Sequence, residues 1–162
     1  MSPAKTSGKS RGKKEVTFFD LLKQDHDKVK DIFQQIEEDE DGENREELFA
    51  GLQSELQTHI DLEEKLVYPV MQQSEELREK ILEAYEEHNV AKHVLNECSN
   101  LDLEDERWEA KCSVLREIVN HHLQEEEKNL FNMAKKALEK EKIQDITNQI
   151  QQQKSGVQKE AA

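Results

Sequence analysis

Apolar residues recur at alternating spacings of three and four along four segments of this 162-residue chain, the period of helices that bury one face. The first stripe runs Leu22, His26, Val29, Phe33, Ile36; it opens at Thr17, with Asp20 three residues on as a capping-box pair. After the break at Asp41-Gly42-Glu43-Asn44, a second stripe runs Leu48, Leu52, Leu56, His59, Glu63, Leu66, Val70, with Pro69 close to its end. Ser74 is placed to cap a third helix with the stripe Leu77, Ile81, Ala84, His88, Ala91, Leu95, Cys98. Beyond a polar turn around Asn100 to Glu106, the fourth carries Trp108, Cys112, Leu115, Val119, His122, Glu126, Leu130, Met133 and Ala137. Past Lys140 the stripe fades, so residues 139–162 read as a helix extension or a disordered tail. Short turns between such helices predict an all-α, up-and-down antiparallel four-helix bundle over residues 17–138.

Titratable residues interrupt these apolar faces in a duplicated order. His26 is followed 33 residues later by His59-x3-Glu63, and His88 is followed 34 residues later by His122-x3-Glu126. The neighbours repeat too: Asp25-His26-x3-Lys30 answers Glu87-His88-x3-Lys92, and Glu63-Glu64-x3-Tyr68 answers Glu126-Glu127-x3-Phe131. One helix-turn-helix unit is used twice. At about 1.5 Å rise per residue, His26 and His59 fall at similar depth on either side of the first turn. His88 and His122 match less well, which requires the third helix to extend or the last turn to skew.

A lone histidine on an apolar stripe is usually a core residue with one hydrogen bond. Four in one layer, with two carboxylates that are costly to bury unpaired, call for a different account. Metal ions satisfy both groups. Imidazole suits iron, zinc, manganese or copper, carboxylates between two histidine-bearing halves can bridge a pair of ions, and His-x3-Glu spacing puts both side chains on one helix face. The candidate ligands are therefore His26, His59, Glu63, His88, His122 and Glu126.

Composition limits what surrounds such a site. Hydrophobic content of 34% against 37% charged, with five Gly and two Pro, suits long solvent-washed helices in one domain. No stretch approaches a membrane span of about 20 apolar residues, the N-terminus lacks a secretory segment, and Cys98 and Cys112 are too few for a disulfide framework, so a reducing cytoplasm is expected. Residues 1–15 hold five of the 23 basic residues and one of the 37 acidic ones, leaving 18 against 36 in the rest. Residues 1–16 read as a disordered basic leader, a solubilising tail rather than a nucleic-acid or membrane tether. The acidic body repels DNA and anionic lipid, so neither is an expected partner.

The ligand pattern, together with Glu63-Glu64-Lys65-Leu66-Val67-Tyr68-Pro69, resembles the hemerythrin-like HHE cation-binding family over about Thr17 to Leu138. The resemblance implies a non-heme pair of iron ions joined by an oxo or hydroxo bridge, His26 and His59 leaning to one ion, His88 and His122 to the other, and Glu63 and Glu126 bridging. Zinc and manganese also satisfy this donor set. Oxygen-carrying members have a further histidine one turn after the third-helix ligand, where this chain has Lys92. His93 does not replace it, since five positions rotate a helix by about 140°; it reads as a surface residue or one behind the ligands. His121 lies on a neighbouring stripe that turns polar, and is expected at most to orient a ligand. Tyr68 and Phe131 are expected to cover the site as an apolar lid. Cys98 and Cys112 read as packed thiols. The expected function is the binding or sensing of oxygen, nitric oxide or peroxide, or the holding of iron, by a monomer. A di-metal oxidase or peroxidase is the alternative, although no acid, base or substrate pocket is evident beyond the metal ligands. Leu82, Leu101 and Leu103 are the leucines expected on the surface.

Overall fold

The computed structural model describes residues 12–161; most of the expected basic leader lies outside them. The described residues form helices and turns, with no strand. Helix α1 spans Phe18–Glu38, and the carboxylate of Asp20 accepts from the Thr17 backbone N–H at 2.9 Å and its hydroxyl at 3.2 Å, tying down the helix start. A turn containing Gly42 at φ 69°, a conformation that favours glycine, reverses the chain into α2, Arg45–Leu62. The chain continues through a π-helical turn, Glu63–Val67, into α3, Tyr68–Met71.

Helix α4 spans Arg78–Asn100 and α5 spans Glu106–Glu125, with Asp105 Oδ1 accepting from the Arg107 backbone N–H at 2.9 Å. A second π-turn, Glu126–Leu130, leads into α6, Phe131–Ala137. Ser74 does not cap α4. Its carbonyl instead accepts from the backbone of Leu77 and Arg78, making a turn ahead of the helix.

The two π-turns correct the apolar stripes in the same way. A π-turn spends five residues where an α-turn spends four, so every position after it is displaced by one. Leu66 and Val70 were expected inside; Val67, Tyr68 and Met71 are buried instead. Met133 and Ala137 give way likewise to Phe131, Ala134 and Leu138. At the start of α2, Phe49 rather than Leu48 is the buried residue.

The four-helix count expected from the sequence is exceeded: a further long helix, α7, Lys140–Ala161, packs on α1 and on the first π-turn. Its sparse stripe suffices: Ile146 and Ile150 are buried, and the Thr147 hydroxyl accepts from the Phe18 backbone N–H at 2.8 Å. Leu101 and Leu103, expected on the surface, are half-buried against the core, and Leu82 is exposed. Among the described residues no helix is long and apolar enough to cross a membrane.

The core divides into two apolar clusters. One gathers Phe18, Leu22, Met71, Ile81, Phe131 and Ile150; the other gathers Val29, Phe33, Leu52, Trp108, Leu115 and Val119. Between Leu22 and Val29 on α1 lies His26, and between Val119 and Leu130 on the last long rod lie His122 and Glu126. A polar layer is thus closed above and below by hydrocarbon.

Candidate metal centre

All six candidate ligands are buried and converge on that layer. The Nε2 atom of His26 is 3.2 Å from Glu126, that of His59 is 3.1 Å from Glu63, and that of His88 is 3.1 Å from the other oxygen of Glu63. His122 Nε2 lies 3.5 Å from Glu126 and 3.0 Å from His88 Nε2, so the depth mismatch expected between these two histidines is absent. Each carboxylate therefore reaches across both halves of the duplicated unit. Ligand atoms of His26, His59, Glu63 and Glu126 all lie within 4.8 Å of one another, as do those of Glu63, His88 and His122.

The outer nitrogen of each imidazole faces another carboxylate. His26 Nδ1 donates to Glu127 at 2.8 Å, His88 Nδ1 to Glu64 at 3.1 Å and His122 Nδ1 to Glu87 at 2.5 Å, while His59 Nδ1 is 3.6 Å from Asp25. The residue before the first histidine of each unit, Asp25 or Glu87, faces the second histidine of the same unit. The residue after each inner glutamate, Glu64 or Glu127, serves the first histidine of the other unit. Such partners fix the ring orientation and direct the Nε2 lone pair inward, as in carboxylate–histidine–metal sites. Sequence reasoning registered these four acids only as marks of the duplication. The signal for their role was present in the Asp-His, Glu-His and Glu-Glu doublets.

The π-turns account for the doublets. Their wider turn brings consecutive side chains closer in direction, so Glu63 and Glu64 grip opposite nitrogens of the same imidazole, His88. It also brings residue i+5 over residue i. The Tyr68 hydroxyl thereby lies 3.0 Å from Glu63, 2.6 Å from Glu126 and 3.3 Å from His88 Nε2. Its single proton serves one acceptor at a time. Tyr68 is thus a polar member of the centre rather than an apolar lid. Phe131, its counterpart, stacks on His26 at 5.9 Å and does form an apolar cover.

Electrostatics favours a cation here. Burial lowers the pKa of His59, yet Glu63, Asp25 and Glu126 raise it to about 10; burial likewise lowers that of His122, and Glu126 and Glu87 raise it to about 9. Burial raises the Glu63 carboxyl, but His59 and His88 hold it well below the usual range. Without an ion, protonated imidazoles must supply the countercharge that these carboxylates demand. His26 Nε2 and Glu126 Oε2, 3.2 Å apart, and His59 Nε2 and Glu63 Oε1, 3.1 Å apart, are buried and face each other without making hydrogen bonds, an arrangement that costs free energy unless something bridges them. The donor set of imidazole and carboxylate fits two divalent ions.

The remaining candidates lie outside the layer. His93 and His121 are exposed, each 3.8 Å from a glutamate, with His121 beside Glu87 and so one step removed from His122. Lys92 Nζ donates to both oxygens of Glu64, at 2.8 and 3.0 Å. Cys98 and Cys112 are buried free thiols in the second cluster, and burial pushes the Cys112 thiol up to about 12.

A family model described as the Hemerythrin HHE cation binding domain matches residues 17–134. The crystal structure of a hemerythrin HHE cation binding domain-containing protein from Mycobacterium kansasii is similar in fold, with a TM-score of 0.75 and 21% identity, covering 86% of this chain and 85% of that one. A DNA nickase of Nostoc sp. is 24% identical over 146 residues, 90% of this chain; the match spans 41% of the nickase.

Proposed function

The chain belongs to the hemerythrin HHE cation-binding family, and on that premise we propose that it is a non-heme di-iron protein that binds or senses oxygen, nitric oxide or peroxide, or holds iron. His26 and His59 would hold one ion and His88 and His122 the other, with Glu63 and Glu126 as carboxylate ligands between the two histidine pairs. The observation that carries this reading is the set of buried, unpartnered nitrogen and carboxylate atoms, of which Glu63 belongs to both groups of converging ligands. Iron in this layer supplies a redox couple and positions at which a small molecule can bind. The protein's own groups do the rest. Asp25, Glu64, Glu87 and Glu127 orient the imidazoles, the two apolar clusters exclude bulk water, and Lys92 holds Glu64 in place.

A turnover reading, that of a di-metal oxidase or peroxidase, is favoured by one observation. The buried Tyr68 hydroxyl lies 2.6 Å from Glu126 and 3.0 Å from Glu63, a proton donor held against the candidate ligands. DNA cleavage, the activity in the nickase's name, is not carried over. The net charge of −14 opposes approach to a phosphate backbone.

The test is iron per chain after anaerobic Fe(II) loading, together with the near-ultraviolet spectrum on admitting air. Two irons and new charge-transfer bands are expected, both lost in a Glu63→Ala, Glu126→Ala double variant. A wild type that retains no iron sinks the proposal. Sustained consumption of peroxide with recovery of the starting spectrum, slowed in Tyr68→Phe at unchanged iron content, decides for turnover.

A further inference from the structure

The four carboxylates behind the histidines are related by the duplication, but their surroundings differ. Glu127 has Lys30 at 3.4 Å, Glu64 has Lys92 at 2.8 Å, and Asp25 has Lys154 of α7 at 2.5 Å. Glu87 has no lysine partner among the described residues; its outward neighbour is His121, at 3.8 Å and 70% exposed. At three of the four positions an ammonium group is therefore paired directly with the carboxylate behind the histidine, and at the fourth, Glu87, it is not.

At that fourth position a cavity of about 20 Å³, the scale of a single water or ion, is lined by Glu83, Glu87 and Glu125 and at its inner end by Glu126. Glu83 is exposed and Glu125 half-buried, whereas Glu126 is buried, its Oε2 making no hydrogen bond although it lies 3.2 Å from His26 Nε2. The lining, which also includes Ala84 and Leu130, thus runs from surface carboxylates to a residue of the candidate centre. Lys80, also in its lining, is paired with Glu83 at 3.0 Å on the surface, with 41% and 57% of the two side chains exposed. Such a pair is weak and readily displaced. Glu86 and Glu117 add negative charge to a shallow depression alongside, which shares Glu83 and Glu87 with the cavity.

We propose that this acidic cleft, between α4 and the junction of α5 with the second π-turn, is the entry route for divalent cations, with Glu83, Glu87 and Glu125 as successive transient ligands leading to Glu126. The inference rests on the di-metal reading above. Hard divalent cations shed water stepwise onto carboxylate oxygens, and a cleft of one charge sign concentrates them at its mouth. Lys80 guards that mouth and yields when an ion takes its place on Glu83.

The experiment is the rate of anaerobic Fe(II) uptake by the full chain, measured as iron retained after rapid gel filtration at timed intervals. A Glu83→Gln, Glu125→Gln variant should load about tenfold more slowly and with a weaker dependence on ionic strength, but reach the same final iron content and keep its Tm. Lys80→Gln should load faster than wild type. A Glu46→Gln, Glu47→Gln variant, which removes equal charge from the exposed start of α2, should load as wild type does. Wild-type rates in the cleft variant, or equal slowing in the α2 control, overturn the route while leaving the metal centre standing. A wild type that takes up no iron overturns the metal reading itself, and the route with it.

Discussion

Glu64 shows how much of this site rests on residues that touch no metal in the proposed arrangement. It accepts from His88 Nδ1 and is held by Lys92, so it fixes the ring whose other nitrogen faces Glu63. Glu64→Gln keeps the shape and removes the charge. Titration of the variant with Fe(II) should give an affinity reduced about 10- to 100-fold with the fold intact; an unchanged affinity would show that Glu64 has no orienting role. Lys92, one turn after His88, is spent on this same carboxylate. The thiols illustrate the opposite case, burial away from the histidine layer. With its pKa pushed to about 12, Cys112 carries almost no thiolate at neutral pH, so alkylation of the folded protein should be slow and should rise only as pH climbs toward that value. Rapid labelling at pH 7 would contradict this packing.

At the scale of elements, the π-turns do what a regular helix cannot. Each sets two adjacent glutamates on the histidine layer, and the first lays Tyr68, five positions on, across Glu63. Deleting exposed Lys65 turns Glu63–Val67 into an α-turn. The expected result is preserved far-ultraviolet circular dichroism, because Val67, Tyr68 and Met71 keep their buried face, with metal affinity at least about tenfold lower because one glutamate turns away. Loss of helical signal would mean that the turn is needed for folding as well. Helix α7 contributes differently. Ile150 is fully buried beside Phe18 and Leu22, and Ile150→Ala should cost about 2–5 kcal/mol in urea denaturation. A negligible change would mean that α7 does not dock on the bundle in solution.

For the whole molecule, a charged layer between two apolar clusters means that metal and fold are thermodynamically linked. The unfolded chain has no assembled site, so iron-loaded protein should melt higher than chelator-treated protein, with a Tm that depends on free metal concentration. Identical melting curves would favour incidental histidines. The helical class, the duplicated unit and the convergence of His26, His59, Glu63, His88, His122 and Glu126 on one layer were legible from periodicity and spacing, because a helix carries residues three and four apart to one face wherever it sits. The sequence by itself also set the acidic balance of the body, 36 acidic against 18 basic residues beyond position 15. The phase shift after Glu63 and Glu126 was not legible, since a π-turn is stabilised by tertiary demands on side-chain direction and leaves no distinct propensity signal. Nor was the fifth helix, whose few apolar residues count only because α1 and the first π-turn offer a surface to receive them. The tertiary structure alone decided that Tyr68 reaches the carboxylates while Phe131 covers His26. It also decided that three outer acids meet a lysine and the fourth does not, because such pairings join residues from separate helices that no local pattern relates.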